Sequence, residues 1–189
     1  MDRARDFVVS TPFVTLALLF VNVFVHIAVF LFTIDISPFT FSPYFVVYEY
    51  QYYRIFTSAF LHGGILHIAM NMMSLVAMGG LLEPTYGSLR FLWMTWASIF
   101  LTAFCYIFFA CLSSVLMQDA SYMNSNSIGY SGVLFSYTAI ESFHASSPYR
   151  SVFGLFSVPT KIYPIILLIV IQVKSRYPSF PVAVSLFRV

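Results

Sequence analysis

A serine and a histidine–asparagine pair are the side chains of this sequence best suited to chemistry. Ser131 stands in the tetrapeptide Gly129-Tyr130-Ser131-Gly132, whose small residues leave its hydroxyl open at the predicted start of a helix. Backbone N–H groups at a helix start can stabilise an oxyanion that forms on an attacked carbonyl group. The tetrapeptide therefore fits nucleophilic acyl transfer, but glycine and serine are also common where membrane helices pack closely.

His67 and Asn71 form the second candidate group. They lie four residues apart, so both project from one face of a predicted helix. Polar side chains are costly within a membrane and usually face the protein interior. There they either hydrogen-bond across helices or belong to a functional site, and the residues alone leave both interpretations open.

The composition predicts that these residues lie inside a lipid bilayer. Hydrophobic residues make up 60% of the 189 residues and charged residues only 8%, whereas about a quarter of a soluble domain is charged. We expect an all-α, polytopic transmembrane helical bundle. The net charge of +2 indicates no nucleic-acid partner. Cys105 and Cys111 share one apolar run, so packing is favoured over a disulfide or a metal site, and no cofactor is expected.

Five apolar runs are long enough to be predicted membrane spans. Between the first two lies a stretch rich in aromatic residues and interrupted by prolines, which is typical of an interfacial loop and is named the outer loop here (residues 33–51). The fifth run is interrupted by Pro159, Lys161 and Pro164. The predicted spans are residues 13–32, 57–82, 91–116, 128–143 and 152–173.

Basic residues near span ends predict the orientation, because they favour the cytoplasmic side. Arg3 and Arg5 place residues 1–12 in the cytoplasm as the N-terminus of a multi-pass protein. Residues 13–173 then form the transmembrane domain, and residues 174–189 form an atypical basic, proline-containing tail. Alternating crossings put this tail on the outer side, whereas its basic residues favour the cytoplasmic side. We expect an alternative splice product or a misread gene end that replaces a sixth helix.

The alternating direction of the predicted spans places the two candidate groups near each other. The second and fourth predicted spans both run from the outside to the inside. His67 and Ser131 each fall near the outer end of their own span. We therefore expect a hydroxyl nucleophile and side-chain N–H donors at one depth, as acyl transfer inside a membrane requires.

With these motifs in this order, the chain resembles the rhomboid family of intramembrane serine proteases. The resemblance covers most of the chain, and the histidine–asparagine pair together with the serine tetrapeptide makes it specific. Its matching stretches are Tyr53-Arg54, Phe60 to Met72, Glu83, Tyr86-Gly87-Ser88 and Gly129 to Phe135.

The resemblance implies roles for four residues. Ser131 would be the nucleophile. His67, Asn71 and the backbone N–H of Ser131 would form the oxyanion site, and Gly129 would allow close packing beside the nucleophile. It also implies an endopeptidase that cleaves other membrane proteins in or near their transmembrane segments, without a metal or an organic cofactor.

One departure from the family pattern concerns the general base, which rhomboids take from a histidine on a sixth helix. No general base is found here, because none of the four histidines follows the fifth predicted span. His26 is expected to pack in mid-membrane, His62 to point about 140° away from His67 around a helix, and His144 to lie at the inner end. The chain is thus expected to be impaired or inactive as written.

The rival hypothesis comes from another class of protein. It is a non-catalytic rhomboid relative that binds transmembrane clients for trafficking or quality control. The retained Ser131, His67 and Asn71 favour the protease, and the missing base favours the client binder. An endomembrane such as the endoplasmic reticulum or Golgi is compatible with either hypothesis, and the sequence does not predict an oligomeric state.

Overall fold

Eight α-helices and one short hairpin make up the part of the chain that the structure, a computed structural model, describes. That part comprises the backbone of residues 2–152 and 156–176 and the side chains of residues 5–152 and 156–169. Short 3₁₀ turns connect some of these elements. The helices are α1 (Asp2–Ser10), α2 (Phe13–Leu31), α3 (Pro43–Val47), α4 (Tyr53–Phe60), α5 (Ile65–Tyr86), α6 (Ser88–Met117), α7 (Ser131–His144) and α8 (Tyr163–Arg176), and the strands are β1 (Tyr149–Val152) and β2 (Phe156–Pro159).

The predicted all-α membrane fold is confirmed. Within the described residues, α2, α5 and α6 are long and apolar enough to cross a bilayer. Helix α7, at the fourth predicted span, has 14 residues and packs between α5 and α6. The prediction of five crossings remains a prediction.

The second predicted span is not one continuous helix. Residues 57–60 belong to α4, and the chain leaves helical geometry at Leu61 before α5 begins at Ile65. Gly63 and Gly64 occupy this break, and glycine is a poor helix former. The surrounding residues are apolar on both sides, so hydrophobicity alone did not reveal the interruption.

The fifth predicted span was wrong in its first half. Strands β1 and β2 pair there in an antiparallel hairpin, with Tyr149 opposite Pro159. The next residue, Thr160, closes the hairpin by donating its backbone N–H to Pro148 O at 3.0 Å and its hydroxyl to Ser147 O at 2.7 Å. Proline lacks the N–H that a helix interior needs, which explains why helix α8 starts only at Tyr163. Residues 177–189 of the predicted tail lie outside the described residues.

A buried carboxylate joins the start of α2 to the end of α5. Glu83 is 2% exposed and accepts hydrogen bonds from the N–H groups of Val14 and Thr15 at 2.9 and 2.7 Å. It also accepts from the hydroxyls of Thr15 and Ser88. The first N–H groups of a helix have no partner within the helix, and their positive end favours an anion. Glu83 fills this role rather than pairing with Arg90, which is exposed.

Close packing of α2 on α5 accompanies this carboxylate. Thr15 is fully buried, and its hydroxyl would lie 2.3 Å from a Cβ atom added at Gly79. Only a residue without a side chain lets the two helices approach this closely. At the neighbouring Gly80, an added Cβ meets nothing within 4 Å. The two glycines of one helix therefore have different surroundings.

Arg54 fixes the outer loop against α4. It is 5% exposed and donates to the carbonyls of Ser37 and Thr40 at 3.0 and 2.8 Å and to the Gln51 amide oxygen at 2.6 Å. Its guanidinium also lies 4.5 Å from the centre of the Phe45 ring. Arginine suits this position because its planar group donates several hydrogen bonds and stacks on aromatic faces.

We predict that Gly79→Ala destabilises the protein and that Gly80→Ala does not. The new methyl group at position 79 would displace the Thr15 side chain, which holds Glu83, at a cost of about 1–3 kcal/mol. At position 80 there is room, and alanine is the better helix former. Thermal unfolding of both variants in detergent micelles measures the difference. Equal unfolding temperatures would contradict the packing described.

Candidate functional site

Ser131 is the first residue of α7, and the backbone before it is held on two sides. Gly129 donates its N–H to Ser58 O in α4 at 2.9 Å. Phe41 of the outer loop exchanges two backbone hydrogen bonds with Ser127, at 2.9 and 3.0 Å. Gly129 itself has φ +114°, a conformation that side chains rarely adopt. The peptide leading to the serine is thus fixed by segments from the first third of the chain.

The ring of His67 lies directly against Gly129. A Cβ atom at Gly129 would stand 2.7 Å from both Cε1 and Nε2 of His67. His67 is the third residue of α5, so the histidine and the serine come from the first turns of neighbouring helices. The structure therefore brings together the two groups that the sequence placed at one depth.

Asn71 completes the group one turn further along α5. It is 5% exposed, and its amide donates one hydrogen bond to His67 O at 3.0 Å. The amide nitrogen would lie 3.9 Å from a Cβ atom at Gly129. Since a carboxamide carries two N–H donors, one N–H remains available to a bound group near Ser131.

Three cavities converge on Ser131. The smallest, about 150 Å³, lies towards α4 and α6 and is lined by Ser58 and Thr102 among others. A second, about 230 Å³, lies between α5, α7 and α8 and contains Asn71. The largest is an open cleft of about 850 Å³ between α6, α7 and α8. The hydroxyl can therefore be approached from more than one side of the helix bundle.

The position of His62 differs from the prediction. It lies in the α4–α5 break rather than on α5, and its ring centre is 5.1 Å from that of His67 and 6.5 Å from that of His26. Burial, with the neighbouring His67, lowers the pKa of His62 to about 4. Apart from the three histidines themselves, no sequence pattern predicts these contacts, because the α4–α5 break and the packing of α2 on α5 create them.

The fourth histidine, His144, lies at the far end of α7. It is exposed, its Nδ1 lies 2.8 Å from Ile140 O, and its ring contacts Tyr86. Near this end, Glu141 pairs with Arg150. Within the described residues, no group of three histidine, cysteine or carboxylate side chains is arranged to hold a metal ion.

A partly buried serine at the start of one helix, beside a histidine and an asparagine on the next, defines a class of polytopic membrane proteins with a serine-centred site. Residues 49–185 match the rhomboid domain family. The chain belongs to the rhomboid family.

Similar proteins carry rhomboid names. The chain is 42% identical over 134 residues to Rhomboid-like protein 15 of Arabidopsis thaliana, which covers 70% of this chain and 33% of that protein. It is 34% identical over 146 residues to Rhomboid-like protein 14, mitochondrial, of the same plant. That alignment covers 77% of this chain and 43% of the relative. Rhomboid-related protein 4 of Rattus norvegicus is 29% identical over 108 residues, an alignment that covers 57% of this chain and 34% of that protein. The chain thus spans less than half the length of these relatives.

We predict that Gly129→Ala disturbs the site and that Gly64→Ala does not. The Cβ at position 129 would require the His67 ring to move and would strain the backbone by about 1–3 kcal/mol. Gly64 has extended backbone, and a Cβ there meets nothing within 4 Å. NMR signals of the His67 ring and the unfolding temperature report both effects. Unchanged His67 signals in Gly129→Ala would contradict the contact.

The lowered pKa of His62 predicts a stability change with pH. Between about 4 and the ordinary value of 6.5, the unfolded state binds a proton at His62 that the folded state does not bind. The free energy of unfolding therefore falls as the pH drops through this window. His62→Gln should lose stability less steeply, whereas His144→Gln should follow the wild type. Unfolding temperatures at pH 4 to 7 provide the measurement, and parallel curves for His62→Gln and wild type would refute the prediction.

Proposed function

We propose that the chain carries the site of a rhomboid-type intramembrane serine endopeptidase, which cleaves membrane proteins in or near their transmembrane segments. Ser131 is the nucleophile. The observation that carries the proposal is the contact of the His67 ring with Gly129, two residues before the serine. With this contact, the His67 ring, the Asn71 amide and the start of α7 all lie close to Ser131.

The oxyanion site follows from these donors. The first N–H groups of α7 have no carbonyl partner within the helix, and the N–H of Ser131 is one of them. Together with His67 Nε2 and the Asn71 amide, it faces the region where a carbonyl attacked by the hydroxyl would develop negative charge. Donors fixed in place before the reaction stabilise such charge most effectively, because they need no reorganisation. Gly129 keeps the backbone close enough for this arrangement.

Substrates of this site are segments of other membrane proteins. The cavity between α5, α7 and α8 and the cleft between α6, α7 and α8 both extend along apolar helix surfaces to Ser131. A transmembrane segment could enter sideways from the bilayer and unwind near the serine, which exposes its peptide bond. The chemistry uses no metal and no organic cofactor. The N-terminus lies in the cytoplasm, and an endomembrane is the location.

A second function, the binding of membrane-protein clients without cleavage, is favoured by one observation. Within the described side chains, no group hydrogen-bonds to the Ser131 hydroxyl, and His144 is at the opposite end of α7. Without a base to take its proton, a serine hydroxyl is a poor nucleophile, and the loss of such a base costs several powers of ten in rate. The same cavities would then hold a client segment that stays intact.

A fluorophosphonate probe separates the two functions. Attack by the Ser131 oxygen forms an oxygen–phosphorus bond, releases fluoride, and transfers the hydroxyl proton to water or a base. We expect wild-type protein in detergent to be labelled and Ser131→Ala not to be. Ser136→Ala, on the same helix, should keep its labelling, because among the described side chains the Ser136 hydroxyl donates to Gly132 O, one turn earlier in its own helix.

The control for client binding uses a transmembrane peptide that carries a photo-crosslinker. Under the protease proposal, the wild type labels with the probe and cleaves the bound peptide, while Ser131→Ala binds without cleavage. If neither protein is labelled and both crosslink the peptide intact, the protease proposal fails and client binding stands.

A further inference from the structure

Three histidine rings form a row that reaches from the first spanning helix to the serine site. His26 of α2 meets His62 edge to face, with ring centres 6.5 Å apart and planes at 85°. His62 meets His67 in the same manner at 5.1 Å and 69°. The last ring of the row lies against Gly129. The motif of the family accounts for His67 but leaves His26 without a role.

The nitrogen atoms inside this row lack hydrogen-bond partners elsewhere. His62 is 4% exposed, and neither of its buried ring nitrogens makes a hydrogen bond of ordinary geometry, although the Phe60 backbone lies close enough to act on the ring. Nδ1 of His26 and Nδ1 of His67 are also buried and unpaired. The side-chain oxygen of Asn22, fully buried one turn before His26, is unpaired as well. A buried polar atom without a partner is costly. An imidazole nitrogen lies about 1.1 Å from its ring centre, so His62 and His67, at 5.1 Å, can hydrogen-bond after a ring rotation alone. At 6.5 Å, the His26 side chain must also move about 1 Å towards His62.

A neutral imidazole has one donor nitrogen and one acceptor nitrogen, which gives such a row a direction. Nε2 of His67 lies beside Gly129, so it must carry the proton to donate into the site. The buried Nδ1 of His67 is then an acceptor, and His62 is the neighbouring ring that can donate to it. The other nitrogen of His62 becomes an acceptor in turn, for an N–H of His26.

The neutral state of the row agrees with its surroundings. A proton on His67 of α5 or on His26 of α2 would repel one on His62, while the Phe60 backbone acts in the opposite direction. Burial acts in the same direction as the two histidines, and it is the reason why the pKa of His62 falls to about 4. At neutral pH His62 is therefore uncharged, as a row of single donors and acceptors requires.

We infer that His26 is a positioning residue of the serine site, which sets the ring orientation and the tautomer of His67 through His62. The inference rests on the proposed function in one respect, namely that the Nε2–H of His67 faces the reacting carbonyl oxygen. The orientation and tautomer themselves can be measured without any catalysis. A position 105 residues before the nucleophile, on a helix with no other part in the site, thus contributes to its geometry.

The direct test is NMR of the whole chain with ¹⁵N-labelled histidine in detergent micelles, because ring nitrogen shifts distinguish the two tautomers. We expect His67 in the wild type to be protonated at Nε2. His26→Phe keeps a ring and removes both nitrogens, and it should give a mixture of His67 tautomers. His26→Gln supplies a donor and an acceptor and should restore the wild-type state, and His144→Phe should change nothing. An unaltered His67 tautomer in folded His26→Phe would overturn the inference.

A titration of the unmodified chain tests the same row without a variant. Coupled rings take up protons in separate steps that belong to the group, so each step should shift the signals of neighbouring rings of the row, from His26 to His67, and not of one ring alone. Protonation steps that each shift the signal of a single ring would contradict a connected row. This measurement also decides the matter if His26→Phe does not fold.

Probe labelling gives the functional readout. Loss of a residue that orients a site group through another typically costs about tenfold or more, so His26→Phe should label Ser131 about tenfold more slowly and His26→Gln near the wild-type rate. If even the wild type is not labelled, the proposed protease function fails, while the tautomer measurement still decides whether His26 positions His67. If labelling of His26→Phe equals that of the wild type, the positioning role is refuted.

Discussion

The arrangement of the helices depends on the carboxylate of Glu83 at the start of α2. A charge 2% exposed is tolerated because four hydrogen bonds surround it, two from backbone N–H groups and two from hydroxyls. These bonds fix the rotation of α5 about its own axis. The buried face that ends at Glu83 runs back along α5 through Gly79 and Leu75 to Asn71. The interaction at one end of the helix therefore turns His67 and Asn71 towards α7 at the other end.

Much of the fold and the grouping of the site residues could be predicted, for identifiable reasons. The membrane composition and the shared helix face of His67 and Asn71 follow from local patterns, and the start of a helix at Ser131 follows from the tetrapeptide around it. The break before α5 and the hairpin before α8 could not be predicted from hydrophobicity, because both lie within apolar stretches. Glycines and prolines mark them, but such residues also occur inside membrane helices. Local rules therefore predicted which of these side chains lie together better than they predicted the segments that hold them.

Contacts between distant segments account for what was missed. Glu83 has a basic residue nearby in sequence, yet its partners Val14 and Thr15 lie 69 and 68 residues away. His62 was expected to point away from His67 because both were placed on one helix, and the break in the chain brings their rings together. Neither arrangement has a sequence signature, because each results from how α2 packs on α5.

The short length of α7 has a consequence for where the proposed reaction would be exposed to solvent. At about 1.5 Å per residue, its 14 residues span about 21 Å, against the roughly 30 Å thickness of a hydrocarbon core, whereas the 22 residues of α5 exceed that thickness. If the inner ends of the two helices are level, the serine lies below the outer surface at the floor of a depression. Water would reach it from above and a lipid-embedded chain from the side, so one recessed point would join the two phases that hydrolysis of a membrane segment needs.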